Sequence, residues 1–135
     1  MRTILIVSVC VAALALTMVN SEIDSKALAN CTVGLNLTNR DYERMTINGS
    51  STREEKCLVA CIFNVTGLME DGKPTGKNAA ELTEQMGRRQ PSDTQKGIKE
   101  AIEKCSEEVK PTELCDTAEE LRACLYENSK QYLNI

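Results

Sequence analysis

Two cysteines one helical turn apart are the residues of this sequence whose type and spacing could do chemistry. Cys57 and Cys61 lie in the apolar stretch KCLVACIFNVTG, residues 56–67, whose apolar side chains recur with a helical period. Its last residue, Gly67, suits a helix C-terminus. Residues four apart in a helix lie on one face, so both thiols should point toward the interior. Such a pair can bind a metal, exchange electrons, or form disulfides with two different partners.

The compartment of the protein decides among these chemistries. Residues 4–19 form an apolar run without charge, which follows a short basic start and precedes Val19-Asn20-Ser21 and acidic Glu22. This arrangement predicts a secretory signal peptide over residues 1–21 and a mature domain over residues 22–135. A membrane anchor is the alternative, but the run is slightly short for a span and no basic stop-transfer segment follows it.

Oxidised cysteines are expected in a secreted domain of this size. After loss of Cys10 with the signal peptide, six cysteines remain: Cys31, Cys57, Cys61, Cys105, Cys115 and Cys124. An even count predicts three disulfides, and spacing alone leaves about 15 pairings open. Zinc held by four cysteines is the alternative, but the chain contains no histidine and an oxidising compartment disfavours free thiols. Redox catalysis is disfavoured because such sites typically use Cys-x-x-Cys. We therefore expect no metal site.

Composition excludes several further classes of function. A net charge of −4 without a basic cluster argues against nucleic acid and against anionic membrane surfaces. No second stretch is long enough to insert in a membrane. Without histidine the chain lacks the commonest general base, and neither a nucleophile elbow nor a phosphate-binding loop motif is present. Adjacent carboxylates such as Glu54-Glu55 fit a solvated helix face. We therefore expect neither an enzyme nor a cofactor.

The first half of the mature chain predicts three short helices. Strand-like alternation is nearly absent from the sequence, whereas apolar residues recur at helical spacing. A first helix is expected to end near Gly34. Thr38 followed by Asp41 caps a second helix. Thr52 followed by Glu55 is a capping box for the third helix, which carries the two central cysteines.

The second half predicts three more helices, so the fold class is all-α. Residues 70–76 are expected to form a turn or loop, and a fourth helix runs from about Lys77 to Met86. A fifth helix starts at Ser92, and a sixth starts at the capping pair of Asp116 and Glu119. Helices this short are marginal alone, so cross-links between them are the expected source of stability.

The spacing of the six cysteines resembles that of a known family. Successive cysteines are separated by 25, 3, 43, 9 and 8 residues, which is similar to the six-cysteine signature of insect odorant-binding proteins. The segment GLMEDGKPTGKNA also resembles that family's turn after its third helix. The resemblance covers the whole mature chain. It implies six helices around an apolar cavity, with interlocked pairs Cys31–Cys61, Cys57–Cys115 and Cys105–Cys124.

The resemblance also implies a function. We expect a secreted carrier that binds a small hydrophobic ligand, such as an odorant or pheromone, with a chemosensory receptor as a further partner. The protein is expected to be a monomer or a weak homodimer. The candidate lining is a set of apolar residues, about half of which we expect to be plain core, since apolar stripes are usually packing. These residues are Met45, Leu58, Ile62, Phe63, Leu68, Met69, Leu82, Met86, Ile98, Ile102, Leu121 and Leu125. The tail residues Tyr132 and Leu133 are expected to fold back over the opening.

Two other classes remain as alternatives. One is a secreted interaction or effector protein on the same scaffold, for example in venom or reproductive fluid, because a fold does not fix a function. The other is a saposin-like lipid-interacting protein, which is also all-α with three disulfides. That class needs a broad exposed apolar face, which the charged helices here do not indicate.

The chain also contains four sequons for N-linked glycosylation, beginning at Asn30, Asn36, Asn48 and Asn64. Asn48 stands in a Gly-Ser turn and is the first candidate site, and Asn36 is the second. A bridged Cys31 should hinder the first sequon, and the last lies on the central helix.

Overall fold

The computed structural model describes residues 25–86 and 92–132. For Ser25, Leu28, Gln85 and Met86 it describes the backbone alone. The predicted signal peptide and Leu133 lie outside the described residues.

Six α-helices form this part of the chain, and the predicted all-α class is confirmed. Their bounds are Ser25–Cys31 (α1), Asn39–Asn48 (α2), Arg53–Thr66 (α3), Ala79–Met86 (α4), Ser92–Glu108 (α5) and Leu114–Ser129 (α6). One turn of 3-10 helix, Lys130–Tyr132, follows α6 directly.

Helix α2 begins with the predicted cap. The hydroxyl of Thr38 accepts a hydrogen bond from the backbone N–H of Asp41 at 3.2 Å. In return, the carboxylate of Asp41 accepts one from the backbone N–H of Thr38 at 2.8 Å. These bonds satisfy donors that the first helical turn leaves unpaired. The bond from the Thr38 N–H, with a second from the Thr38 hydroxyl at 3.0 Å, holds the pKa of the Asp41 carboxyl below its ordinary value.

Helix α3 begins at the predicted cap, but only half of the predicted capping box forms. Thr52 accepts from the backbone N–H of Glu55 at 3.1 Å. The carboxylate of Glu55 does not return to Thr52; it accepts from the backbone N–H of Ser51 at 2.8 Å and from Arg44 at 2.7 Å. A charged partner from α2 therefore draws this side chain away. The helix ends at Gly67, whose φ of 84° is left-handed.

The predicted loop after α3 contains a small hairpin. Strand β1 (Met69–Glu70) pairs antiparallel with strand β2 (Lys73–Pro74). Asp71 and Gly72 connect the strands with φ values of 54° and 77°, the positive angles of a tight two-residue turn, which Asp-Gly favours. The hairpin buries the side chain of Met69 and leaves Glu70 exposed.

Helix α6 begins before the predicted capping pair, so that prediction is wrong. Glu113 is the N-cap, and its Oε1 accepts from the backbone N–H groups of Cys115 at 2.9 Å and Asp116 at 3.0 Å. Asp116 lies in the first turn of the helix rather than at its cap. The long side chain of a glutamate thus does what a shorter residue usually does at this position.

Helix α3 is the centre of the packing, since it lies against both α1 and α6, while α5 packs on α4 and α6. Each disulfide joins a different pair of helices. Cys31–Cys61 links α1 to α3, Cys57–Cys115 links α3 to the start of α6, and Cys105–Cys124 links α5 to α6. These are the pairs that the family resemblance implies. The two thiols of α3 therefore reach two different helices.

Candidate functional site

The interior between the helices is apolar and contains most of the predicted lining residues in one contiguous cluster. Helices α2 to α6 and the hairpin all contribute to it. The predicted residues found in it are Met45, Leu58, Ile62, Phe63, Leu68, Met69, Leu82, Ile98, Ile102, Leu121 and Leu125. None of these side chains is more than 5% exposed. Elements far apart in the sequence thus converge on one hydrophobic centre.

The cluster does not include the remaining three predicted residues among those that the structure describes. The side chain of Met86 and the whole of Leu133 fall outside the described residues. Tyr132 is half-buried, and its ring lies directly against Gly97 in the middle of α5. The end of the described chain therefore folds back onto α5, beside the helix face that carries Ile98 and Ile102.

The cluster also contains residues that were not among the predicted lining. They are Val59, Ala60, Ala79, Cys105, Val109 and Ala118. A single apolar stripe per helix could not reveal Val59 and Ala60, because α3 contacts helices on more than one side. Ala118, by contrast, stands three residues before Leu121 on the same stripe of α6, and its small side chain allows close packing.

Most buried hydroxyl groups are satisfied by their own helix. Their side-chain oxygens donate to backbone carbonyls, which turns the methyl or methylene groups toward their neighbours. The bonds are Thr46 to Tyr42, Thr66 to Phe63, Thr83 to Ala79, Thr117 to Glu113 and Ser129 to Leu125. An interior built in this way offers apolar contact and few free polar groups.

Aromatic side chains stand at the border of the cluster. Tyr42 and Tyr126 are partly buried and pack against it. Burial raises the pKa of Tyr42, with a smaller contribution from the negative charge of Asp41. The ammonium group of Lys130 lies 5.9 Å from the ring centroid of Tyr126. These phenols keep a polar hydroxyl at the edge of an apolar region.

Buried Arg122 and partly buried Glu119 form an ion pair beside the C-terminal end of α2. Arg122 is 5% exposed, and its Nη1 donates to the backbone carbonyl of Thr46 at 2.6 Å. Its Nε and Nη2 donate to Oε2 of Glu119 at 3.1 and 2.8 Å. The other oxygen of Glu119 accepts from the backbone N–H of Ser50 at 3.1 Å. The guanidinium thus caps the negative C-terminal end of α2 and ties it to α6.

Residues 25–86 and 92–132 contain neither a metal-binding cluster nor a membrane-spanning helix. No group of three or more histidine, cysteine, aspartate or glutamate side chains there could hold a metal ion. The helices of these ranges are all too short or too polar to cross a bilayer.

Comparison with known proteins gives a consistent result. Residues 17–128 match the PBP/GOBP family. The chain is 31% identical over 108 residues to "General odorant-binding protein 19d" of Drosophila melanogaster, an alignment that covers 78% of this chain and 71% of that protein. No solved structure matches the chain.

Proposed function

Because this chain belongs to the PBP/GOBP family, we propose that it is a secreted carrier that binds small hydrophobic molecules in the apolar interior between helices α3 and α6. The observation that carries this proposal is the convergence of distant apolar residues on one cluster whose polar groups are already satisfied. The name of its fruit-fly relative, a general odorant-binding protein, agrees with an apolar guest.

The guest must displace side chains when it enters. Phe63 is completely buried, and Met69 and Leu121 are each only 1% exposed, so protein atoms surround them on all sides. Met45 and Met69 supply flexible thioether groups that can adopt new rotamers around a guest. The cluster contains one aromatic ring, that of Phe63. We therefore expect aliphatic or terpenoid guests to bind better than large flat aromatic ones.

The affinity should be moderate. A guest that buries ~300 Å² of apolar surface gains ~7 kcal/mol before other costs. The loss of its translational freedom and the rearrangement of side chains reduce this gain. Since ~7 kcal/mol corresponds to about 10 μM, a dissociation constant of about 10 μM or weaker is the expected scale. That scale suits a carrier that must also release its guest.

The disulfides allow the interior to rearrange without loss of the fold. Helix α3 is bonded covalently to α1 and to α6, and α5 is bonded to α6. When core side chains move apart, these bonds still hold the helix ends together. The proposed entrance lies beneath the C-terminal turn. The reason is that the Tyr132 ring rests on α5 beside buried Ile98.

Displacement of a fluorescent naphthylamine probe tests the carrier function. We expect the oxidised mature protein to bind the probe, and straight-chain aldehydes, alcohols or esters to displace it. Ile102→Phe, which adds volume to the interior that a guest must enter, should weaken probe binding about tenfold. The matched control is Val33→Phe at a 75% exposed position, which should bind as the wild type does.

Two outcomes would contradict the proposal. One is that no long-chain aldehyde, ester or alcohol displaces the probe, a result that favours an effector role on the same scaffold. The other is an equal effect of both phenylalanine variants, since binding would then take place outside the interior. Circular dichroism must show that both variants are folded.

Secretion is tested separately. Expression of the full chain in insect cells should release a protein whose N-terminal sequence starts at Glu22, because cleavage is expected after Ser21. A protein that stays in the cells with residues 1–21 attached would refute the signal peptide.

A further inference from the structure

The buried hydroxyl group of Ser50 makes no hydrogen bond in the folded protein. Within residues 25–86 and 92–132, its oxygen is the single buried side-chain polar atom without a hydrogen-bond partner. A buried hydroxyl that pairs with nothing costs free energy, and an alanine at the same position avoids that cost. A role outside the folded state can account for the serine. Ser50 is the third residue of the sequon Asn48-Gly49-Ser50, where N-linked glycosylation requires a hydroxyl.

The other three sequons differ in this respect. In each of them the hydroxyl has a hydrogen-bond partner, so the fold itself accounts for the residue. The bonds run from Thr32 to the carbonyl of Ala29 at 2.9 Å, from Thr38 to Asp41 at 3.0 Å, and from Thr66 to the carbonyl of Phe63 at 3.2 Å. Ser50 is thus distinguished among the four sequons by the structure and not only by its turn.

The three residues of this sequon point in different directions. Asn48 is exposed on the last turn of α2. Gly49 has a φ of 92° and is buried, and a Cβ there would lie 2.8 Å from Oε2 of Glu119. The turn therefore sends the Asn48 side chain into solvent and the Ser50 hydroxyl inward. The side chain of Asn48 takes no part in the bonds that Arg122 and Glu119 of α6 make to Thr46 and Ser50.

We propose that Asn48 carries an N-linked glycan; this inference rests on the secretory route of the proposed function. The donor is an oligosaccharide linked to a lipid through pyrophosphate. A bond forms between Nδ2 of Asn48 and the anomeric carbon of the first sugar, while the bond from that carbon to the pyrophosphate oxygen breaks. The amide loses one proton, and lipid pyrophosphate leaves. Transfer takes place before the chain folds, while the Ser50 hydroxyl is still accessible.

Mass spectrometry of the full chain expressed in secreting insect cells tests the site. We expect digestion with peptide-N-glycosidase to reduce the intact mass by one glycan and to convert Asn48 to aspartate in the peptide map. Asn48→Gln and Ser50→Ala should abolish the glycan, and Ser50→Thr should retain it. Unmodified Asn48 in the wild-type protein overturns the proposal, wherever the protein is found.

The compartment distinguishes the two possible failures. Unmodified Asn48 in protein from the medium refutes the glycan and leaves secretion standing. Unmodified protein that never reaches the medium refutes the secretory route as well. Probe binding by refolded protein is independent of both results.

A second measurement tests the argument from the unpaired hydroxyl. In unglycosylated protein from bacteria, Ser50→Ala should melt at the wild-type temperature or above it. The control Thr66→Val loses the bond to Phe63 and should melt lower. A lower melting temperature for Ser50→Ala would show that the hydroxyl serves the fold, and the argument for Asn48 would fail.

Discussion

The ring of Tyr132 lies against the α-carbon of Gly97, so closely that a Cβ at residue 97 would be 2.4 Å from the ring atoms Cε2 and Cζ. Contacts to a real Cβ are essentially never this short. A glycine in the middle of a helix costs about 1 kcal/mol relative to alanine. Gly97 thus makes room for the Tyr132 ring and lowers the helix propensity of α5.

This relationship predicts that Gly97→Ala acts differently with and without Tyr132. In a Tyr132→Ala background the alanine should stabilise the protein by about 1 kcal/mol, because only helix propensity changes. In the wild-type background the clash with the ring should remove that gain. Urea unfolding of the four proteins measures the coupling. Equal stabilisation in both backgrounds would contradict the close contact between the Tyr132 ring and Gly97.

The buried Arg122 predicts a large stability loss on truncation. Arg122→Met should lower the free energy of unfolding by about 2 kcal/mol, because the partly buried carboxylate of Glu119 and the buried carbonyl of Thr46 both lose their donor. Arg53→Met is the matched control. Arg53 is 59% exposed where it pairs with Glu113, and its loss should change stability little. Similar urea midpoints for the two variants would count against the capping role of Arg122.

The disulfides should differ in their contribution according to the loop that each closes. Cys57 and Cys115 are separated by 58 residues, and Cys105 and Cys124 by 19. Loop entropy predicts a loss of about 4 kcal/mol when the first pair is replaced by alanine and about 3 kcal/mol for the second. Chemical denaturation of the two double variants checks the order. A larger loss for the shorter loop would mean that local packing outweighs loop entropy.

The ion pair between Arg44 and Glu55 predicts a pH dependence of stability. Hydrogen bonds from Arg44, and then from Ser51, lower the pKa of Glu55 from 4.5 to about 2. A carboxyl group with a lowered pKa stabilises the fold above its unfolded pKa, and this contribution is lost as the pH falls through its folded pKa. Glu55→Gln should therefore be about 1 kcal/mol less stable at pH 7, because Arg44 is partly exposed and solvent screens the pair. Urea unfolding between pH 7 and pH 2 should show the difference shrinking below pH ~4.5. A difference that is constant over this range would contradict the assignment.

Ligand binding should change little between about pH 7.5 and pH 6. The chain contains no histidine. The described carboxyl groups with a shifted pKa, namely Asp41, Glu55 and Glu113, all have a lowered one and stay ionised in that range. Probe titrations at both pH values measure this directly. A steep loss of affinity would reveal a carboxyl group with a strongly raised pKa near the guest.

The parts of the fold that depend on residues close together in the sequence were predictable. Thr38 and Asp41 are three residues apart, so their reciprocal cap is a local pattern. Gly67 likewise ends α3 because it accepts a left-handed φ. The start of α6 was missed because glutamate is an uncommon cap, and Glu113 succeeds through its length. The cysteine pairing was implied by the family resemblance, since spacing alone left many pairings open.

For the interior, the sequence predicted only which apolar residues recur at helical spacing and so face inward. Ile98 and Ile102 are four residues apart on α5, and both are buried. The burial of Arg122 could not be predicted, because its carbonyl partner belongs to a residue 76 positions away. The contact between Tyr132 and Gly97 joins two distant segments in the same way. Contacts of this kind depend on how whole helices pack.

The three disulfide loops overlap along the chain, since they span residues 31–61, 57–115 and 105–124. Every peptide bond between the first and the last bonded cysteine therefore lies inside at least one covalent ring. A peptidase that cuts the backbone once in this region produces two pieces that stay attached to each other. Nicked molecules can thus keep their shape, and it takes reduction as well as cleavage to separate the parts.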